Sequence, residues 1–76
     1  MTGALILIST EVGSMKEVHE KVKKLDQIQD TEMLTGPYDI MAIARAEEMS
    51  YITNTLIGKI RDIEGVQDTV TNIFIK

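Results

Sequence analysis

Hydrophobic and polar positions along the chain change period several times, and each change predicts an element. Ala4-Leu5-Ile6-Leu7-Ile8 is a continuous apolar run, too short for a helix, and reads as a strand buried on both faces. Gly13 punctuates it. Met15, Val18, Val22 and Leu25 then recur at helical spacing and predict a helix from Met15 to Leu25. Ser14 and Glu17 have the spacing of a capping box, and Glu17–Lys21 and Glu20–Lys24 are favourable i,i+4 pairs. Ile28 to Thr35 alternates, with Ile28, Asp30, Glu32 and Leu34 opposed to Gln29, Thr31, Met33 and Thr35. This strand has a wet middle and suits a sheet edge. Tyr38 to Ala46 is the next strand, and its alanines fit a face on which a helix lies close. Met49, Ile52, Leu56, Ile60 and Ile63 spell a second amphipathic helix, weakened by Gly58 and stopped at Gly65. In the last strand, Val66 to Lys76, residues Val66, Asp68, Val70, Asn72 and Phe74 oppose Gln67, Thr69, Thr71, Ile73 and Ile75.

The order strand, helix, strand, strand, helix, strand predicts an α+β, ferredoxin-like βαββαβ domain over residues 1–76. Its four-stranded antiparallel sheet would carry two helices on one face. The first, third and fourth strands are apolar on both faces, so the uncovered face needs a partner. A second copy stacked sheet to sheet is the simplest one.

Composition narrows the function. Seventy-six residues make one domain with a thin core, and no cysteine is present to reinforce it, so oligomerisation is the remaining source of burial. One histidine without cysteine leaves no metal cage, and no cofactor is expected. A net charge of −4 argues against direct nucleic-acid contact. No apolar run approaches the roughly 20 residues of a membrane helix, and no secretory signal is recognisable, so a cytoplasmic protein is expected.

The candidate chemistry gathers at Thr35-Gly36-Pro37-Tyr38-Asp39, between the second and third strands. Asp39 can accept a hydrogen bond from a ligand ammonium, or it can cap its own turn. Tyr38 can wall a pocket or pack at a seam. Thr69 and Thr71 lie two residues apart on one face, where their hydroxyls could grip a ligand or serve as strand formers, and Asp68 is a ligand contact or a solvated turn residue. His19 stands alone and reads as structural. Met15, Met33, Met41 and Met49 read as gap-fillers of core or seam, and Arg45 as the partner of acidic neighbours. Mutating the loop is expected to alter binding or assembly more than folding.

T-G-P-Y-D between the middle strands, with I-R-D-I-E-G-V before a last strand T-V-T-N-I-F-I-K, resembles the C-terminal effector-binding (RAM) domain of Lrp/AsnC transcription regulators. The resemblance spans essentially the whole chain and matches the stand-alone form, without a helix-turn-helix half, unless the chain is an excised fragment. It implies dimers that stack their sheets and assemble into octameric or similar rings. Amino acids or related metabolites would bind between dimers, and full-length Lrp-like regulators are implied as further partners. Thr35, Gly36, Tyr38 and Asp39 would then supply one side of the site, and Asp68, Thr69 and Thr71 of a neighbouring subunit the other. Pro37 removes one backbone donor from that loop.

Two rival readings carry different chemistry. A purely structural partner of full-length regulators would bind no metabolite. An enzyme of the dimeric α+β barrel kind would want a histidine or paired carboxylates inside the barrel, and no convincing set is present. An acylphosphatase would want an arginine after the first strand, where Ser9-Thr10-Glu11-Val12-Gly13 has none. The chain is therefore not expected to be an enzyme.

Overall fold

The apolar N-terminal run forms the middle of the sheet. A computed structural model describes residues 2–75. β1 (Thr2–Thr10) pairs antiparallel with β3 (Ile40–Ala46) on one side and β4 (Val66–Ile73) on the other, and β2 (Ile28–Met33) lies beyond β3, giving the order β2-β3-β1-β4. This is the ferredoxin-like arrangement that the element order implies. α1 (Met15–Val22) follows β1; a π-helical stretch (Tyr51–Leu56) running into α2 (Ile57–Arg61) follows β3.

Both helices lie on one face. Ala4, Ile6 and Ile8 of β1 and Ile40, Ala42, Ala44 and Ala46 of β3 pack against Val18 and Val22 of α1 and against Ile52, Leu56 and Ile60. The paired alanines Ala4 and Ala44 leave room for the second helix to approach closely, as their size suggests. The other face carries Leu5, Leu7, Met41, Ile43 and Val70, all only partly buried within one chain. A domain of 35 × 22 × 17 Å is therefore two layers thick, with one layer open.

Several local expectations are corrected. α1 stops at Val22 rather than Leu25, with Lys23 N donating to His19 O at 3.1 Å to close it. Ser14 makes no side-chain cap bond, so the capping box does not form. Its side chain is packed instead beside Gly65, where an added Cβ would lie 2.8 Å from Ser14 Cβ. Glu20 pairs with Lys23 at 2.9 Å, an i,i+3 contact in place of the anticipated Glu20–Lys24 pair. The hydrogen bond and charge of Lys23 hold the Glu20 carboxyl below its ordinary value, at an exposed position where this adds little to stability. Met33 and Met49 are 46% and 49% exposed in the single chain, so of core or seam the core is excluded for these two. Arg45 lies over the Phe74 ring, 5.2 Å from its centroid, and among the described residues pairs with no acid; Gly3 beneath leaves the space.

The strand alternation fails at two places for one reason. Ile28 pairs with Ala44 but Asp30 with Ile43, so Gln29 is an extra residue, and Ile28 joins Thr31 and Met33 on the helix face. Likewise Thr10 pairs with Val66 but Ser9 with Asp68, so Gln67 is extra and Val66 packs with the core. The two bulges share a local sequence, Ile28-Gln29-Asp30-Thr31 and Val66-Gln67-Asp68-Thr69, and a local geometry. Ile28 N donates to Leu25 O at 3.1 Å, and Val66 N to Ile63 O at 3.2 Å. Each threonine hydroxyl is bonded from the helix layer, Thr31 with His19 Nε2 at 2.8 Å and Thr69 from Arg61 Nε at 3.3 Å. The structural role expected of His19 is this bond.

The second helix is wider over its first turns, with Ile57 N donating to Ile52 O, five residues back, and Ile52, Leu56 and Ile60 are all buried in the core. Gly58 follows in open space: an added Cβ there would meet nothing within 4 Å. Gly65 is the opposite case, buried at φ 100° with Ser14 and Val18 against it. Gly58→Ala is expected to raise unfolding free energy by about 0.5–1 kcal/mol and Gly65→Ala to lower it by roughly 1–3 kcal/mol, both read from urea denaturation midpoints.

Candidate functional site

Three connections leave the sheet at one end: residues 11–14 after β1, residues 34–39 between β2 and β3, and residues 62–65 before β4. The middle one is the loop that the sequence singles out. Leu34 N donates to Asp39 O at 2.8 Å and closes the loop, while Asp39 N donates to Ile8 O at 2.9 Å and fastens it to β1. β2 and β3 therefore end at Met33 and begin at Ile40, short of the Thr35 and Tyr38 limits expected. Gly36, at φ 119°, makes the reversal that a residue with a Cβ resists. Thr35, Gly36 and Pro37 are exposed; Tyr38 and Asp39 are partly buried.

The Asp39 carboxylate does not cap its own turn. Its Oδ2 accepts from Thr10 N at 2.7 Å and from Thr10 Oγ1 at 3.1 Å, across the sheet. Among the described residues, Oδ1 takes no hydrogen bond, and the amides of Thr35, Gly36 and Tyr38 donate to nothing within the chain. The loop thus offers three main-chain donors and one carboxylate oxygen to whatever approaches it. Main-chain N–H groups can donate to an anion and a carboxylate oxygen can accept from a cation. Pro37 leaves the set one donor short, as its ring requires.

The candidates on β4 do not form one group. Asp68 is exposed and opposite Ser9, and its Oδ1 accepts from Thr69 N at 2.9 Å. Thr69 is buried opposite Ile8 on the helix face and Thr71 lies two residues further along it, opposite Ile6. The two threonines do share a face, and Asp68 is on the other. Both sides of β4 are separated from the loop by β1, so one chain brings Thr35, Gly36, Tyr38 and Asp39 together and leaves Asp68, Thr69 and Thr71 apart from them. A groove of about 130 Å³ lies elsewhere, at Lys23, Ile28, Gln29, Asp30 and Thr31, and is smaller than a drug-sized ligand pocket. Thr10 is the residue that sequence reasoning passed over. It sits two positions beyond the apolar run, and only the pairing of β1 with β3 reveals what it holds.

The sequence matches the family described as Lrp/AsnC ligand binding domain over residues 3–76. It is 34% identical over 73 residues to the HTH-type transcriptional regulator FL11 of Pyrococcus furiosus, an alignment covering 96% of this chain and 48% of that one. The fold is similar to TTHA0845 from Thermus thermophilus with TM-score 0.93 at 26% identity, covering 100% of this chain and 95% of the other. It is also similar to Escherichia coli AsnC, with TM-score 0.89 at 25% identity over 99% of this chain and 51% of that one. The chain spans about half the length of the curated relatives it matches. Among the described residues no helix is long and apolar enough to cross a membrane.

The two bonds to Thr10 alter the expectation that the loop matters little for folding. Asp39→Ala removes both and is expected to cost about 1–3 kcal/mol of unfolding free energy. Asp39→Asn, whose amide oxygen still accepts, should lose less; paired denaturation curves decide.

Proposed function

The chain belongs to the Lrp/AsnC ligand-binding domain family, whose relatives are named as transcriptional regulators, and from that premise we propose that it is an effector-binding and assembly module. The ligand is an amino acid or a closely related small metabolite. Its carboxylate is received by the amides of Thr35, Gly36 and Tyr38, and its ammonium by Asp39 Oδ1. The observation that carries this reading is the loop's inventory: three main-chain donors and one acceptor oxygen, none used within the described chain.

A single chain leaves that loop open to solvent, so a second subunit completes the site, with Asp68, Thr69 and Thr71 as its candidate contributors. The exposed sheet face, with Leu5, Leu7, Met41, Ile43 and Val70 partly buried, supplies the means of association through a second copy stacked on it. Rings of such dimers bring different subunits' loops and β4 strands together. A net charge of −4 assigns DNA contact to another segment or to regulators that assemble with the module. Its relatives are named as transcriptional regulators, which supports a role in binding rather than turnover, with the module acting in the cytoplasm, where it modulates transcription.

The rival is a purely structural module that joins full-length regulators and takes no metabolite. One observation favours it: Asp39 Oδ2 is already satisfied by Thr10, so the carboxylate has a role without any ligand. Calorimetric titration with each common amino acid, read beside mass from light scattering, separates the two. One saturable site per subunit, weakened at least roughly ten-fold in Asp39→Ala while the assembly mass stays unchanged, is the result expected. Heat from no amino acid, with the assembly intact, would leave the structural reading standing. A monomer at micromolar concentration would overturn the stacked-sheet assembly.

A further inference from the structure

We propose that Thr10 is a positioning residue of the loop site, holding residues 34–39 and the Asp39 carboxylate in the one arrangement that leaves Oδ1 for a ligand. This rests on the reading of the loop as a binding site. The ladder between β1 and β3 ends where Asp39 N donates to Ile8 O. In a strand, residues two apart direct their backbone groups to the same side. Thr10 therefore presents its N–H toward β3 just where β3 has no further paired backbone to receive it. The Asp39 side chain takes that place, with Thr10 N 2.7 Å and Thr10 Oγ1 3.1 Å from the same oxygen. Two donors from one residue converging on one oxygen fix the position of that oxygen.

Thr10 can do this because it is itself held from the other side. It pairs with Val66 across the β4 bulge, and the next residue, Glu11, donates its N–H to Gly65 O at 2.8 Å. Gly65 in turn lies against Ser14 at the start of α1. The loop is thus anchored to a post braced by the α2–β4 turn and by α1, not to a free strand end. Thr10 touches no ligand in this scheme; it acts through Asp39.

The test compares wild type, Thr10→Val and Thr10→Ser in the full chain. Valine keeps the shape and the N–H but loses the hydroxyl, and serine keeps both donors. Amide hydrogen exchange by NMR follows Leu34 and Asp39, whose N–H groups close the loop, against core amides of β1 and β3. Calorimetry with the common amino acids follows binding. In Thr10→Val, Leu34 and Asp39 should exchange several-fold faster while core amides change less. Affinity should fall roughly three- to ten-fold, and both effects should return toward wild type in Thr10→Ser. Uniform acceleration of loop and core alike, or unchanged affinity in a variant that does bind, overturns the proposal. Should wild type bind no amino acid, the effector reading fails, and the exchange data still decide on their own whether Thr10 holds the loop.

Discussion

Two helices can cover only one face of a four-stranded sheet, and most properties of this chain follow from that limit. The covered face has a small apolar core, with Ala4, Ile6, Ile8, Ala42 and Ala44 fully buried beneath Val18, Val22, Ile52, Leu56 and Ile60. The uncovered face keeps Leu5, Leu7, Met41, Ile43 and Val70 in partial contact with water. A chain with so little interior has few reserves, since burial of one further leucine or isoleucine side chain is worth about 1.5–3 kcal/mol. Association offers that burial without lengthening the chain. The same limit places the candidate ligand site at an edge, because a core this thin has no room for a cavity.

The order and type of the elements were legible because the periods are clean: a continuous apolar run, two helical stripes and three alternating strands. The failures share a cause. A bulge adds one residue to one strand, and side-chain alternation downstream is then reversed relative to the residue before it. Ile28 and Val66 were assigned to the wrong faces on that account, although the signal was present. The repeated I-Q-D-T and V-Q-D-T stretches mark both bulges, and comparing the halves of the chain would have exposed them. Ser14 misled differently: its motif is local, whereas the buried Gly65 beside it is a tertiary contact.

The loop was legible as a loop, and its part in the fold was not. Pro37, Gly36 and Asp39 announce a turn by type alone. Nothing local announces that the Asp39 carboxylate reaches Thr10, which is distant in sequence and near only because β1 lies beside β3. Strand pairing brings such residues together, and sequence spacing cannot express it. That bond uses only one of the two carboxylate oxygens. Oδ2 is spent on structure, and Oδ1 and the free amides remain.

The repeat also changes how the β4 candidates should be weighed. Asp68 and Thr69 follow the bulge of β4. Asp30 and Thr31 occupy the same positions after the other bulge, and Thr31, like Thr69, has its hydroxyl bonded from the helix layer. A pair of residues that recurs wherever a helix feeds a bulged strand has a structural explanation in both places: the aspartate stands at the register shift, and the threonine ties strand to helix. Thr35–Asp39 joins the two βαβ units and lies outside the repeated stretches. The loop is where this sequence departs from its own symmetry, and its donors and acceptor are not explained by the duplicated framework. The proposed site therefore rests on the loop and the Thr10 bonds that hold it, and less on β4.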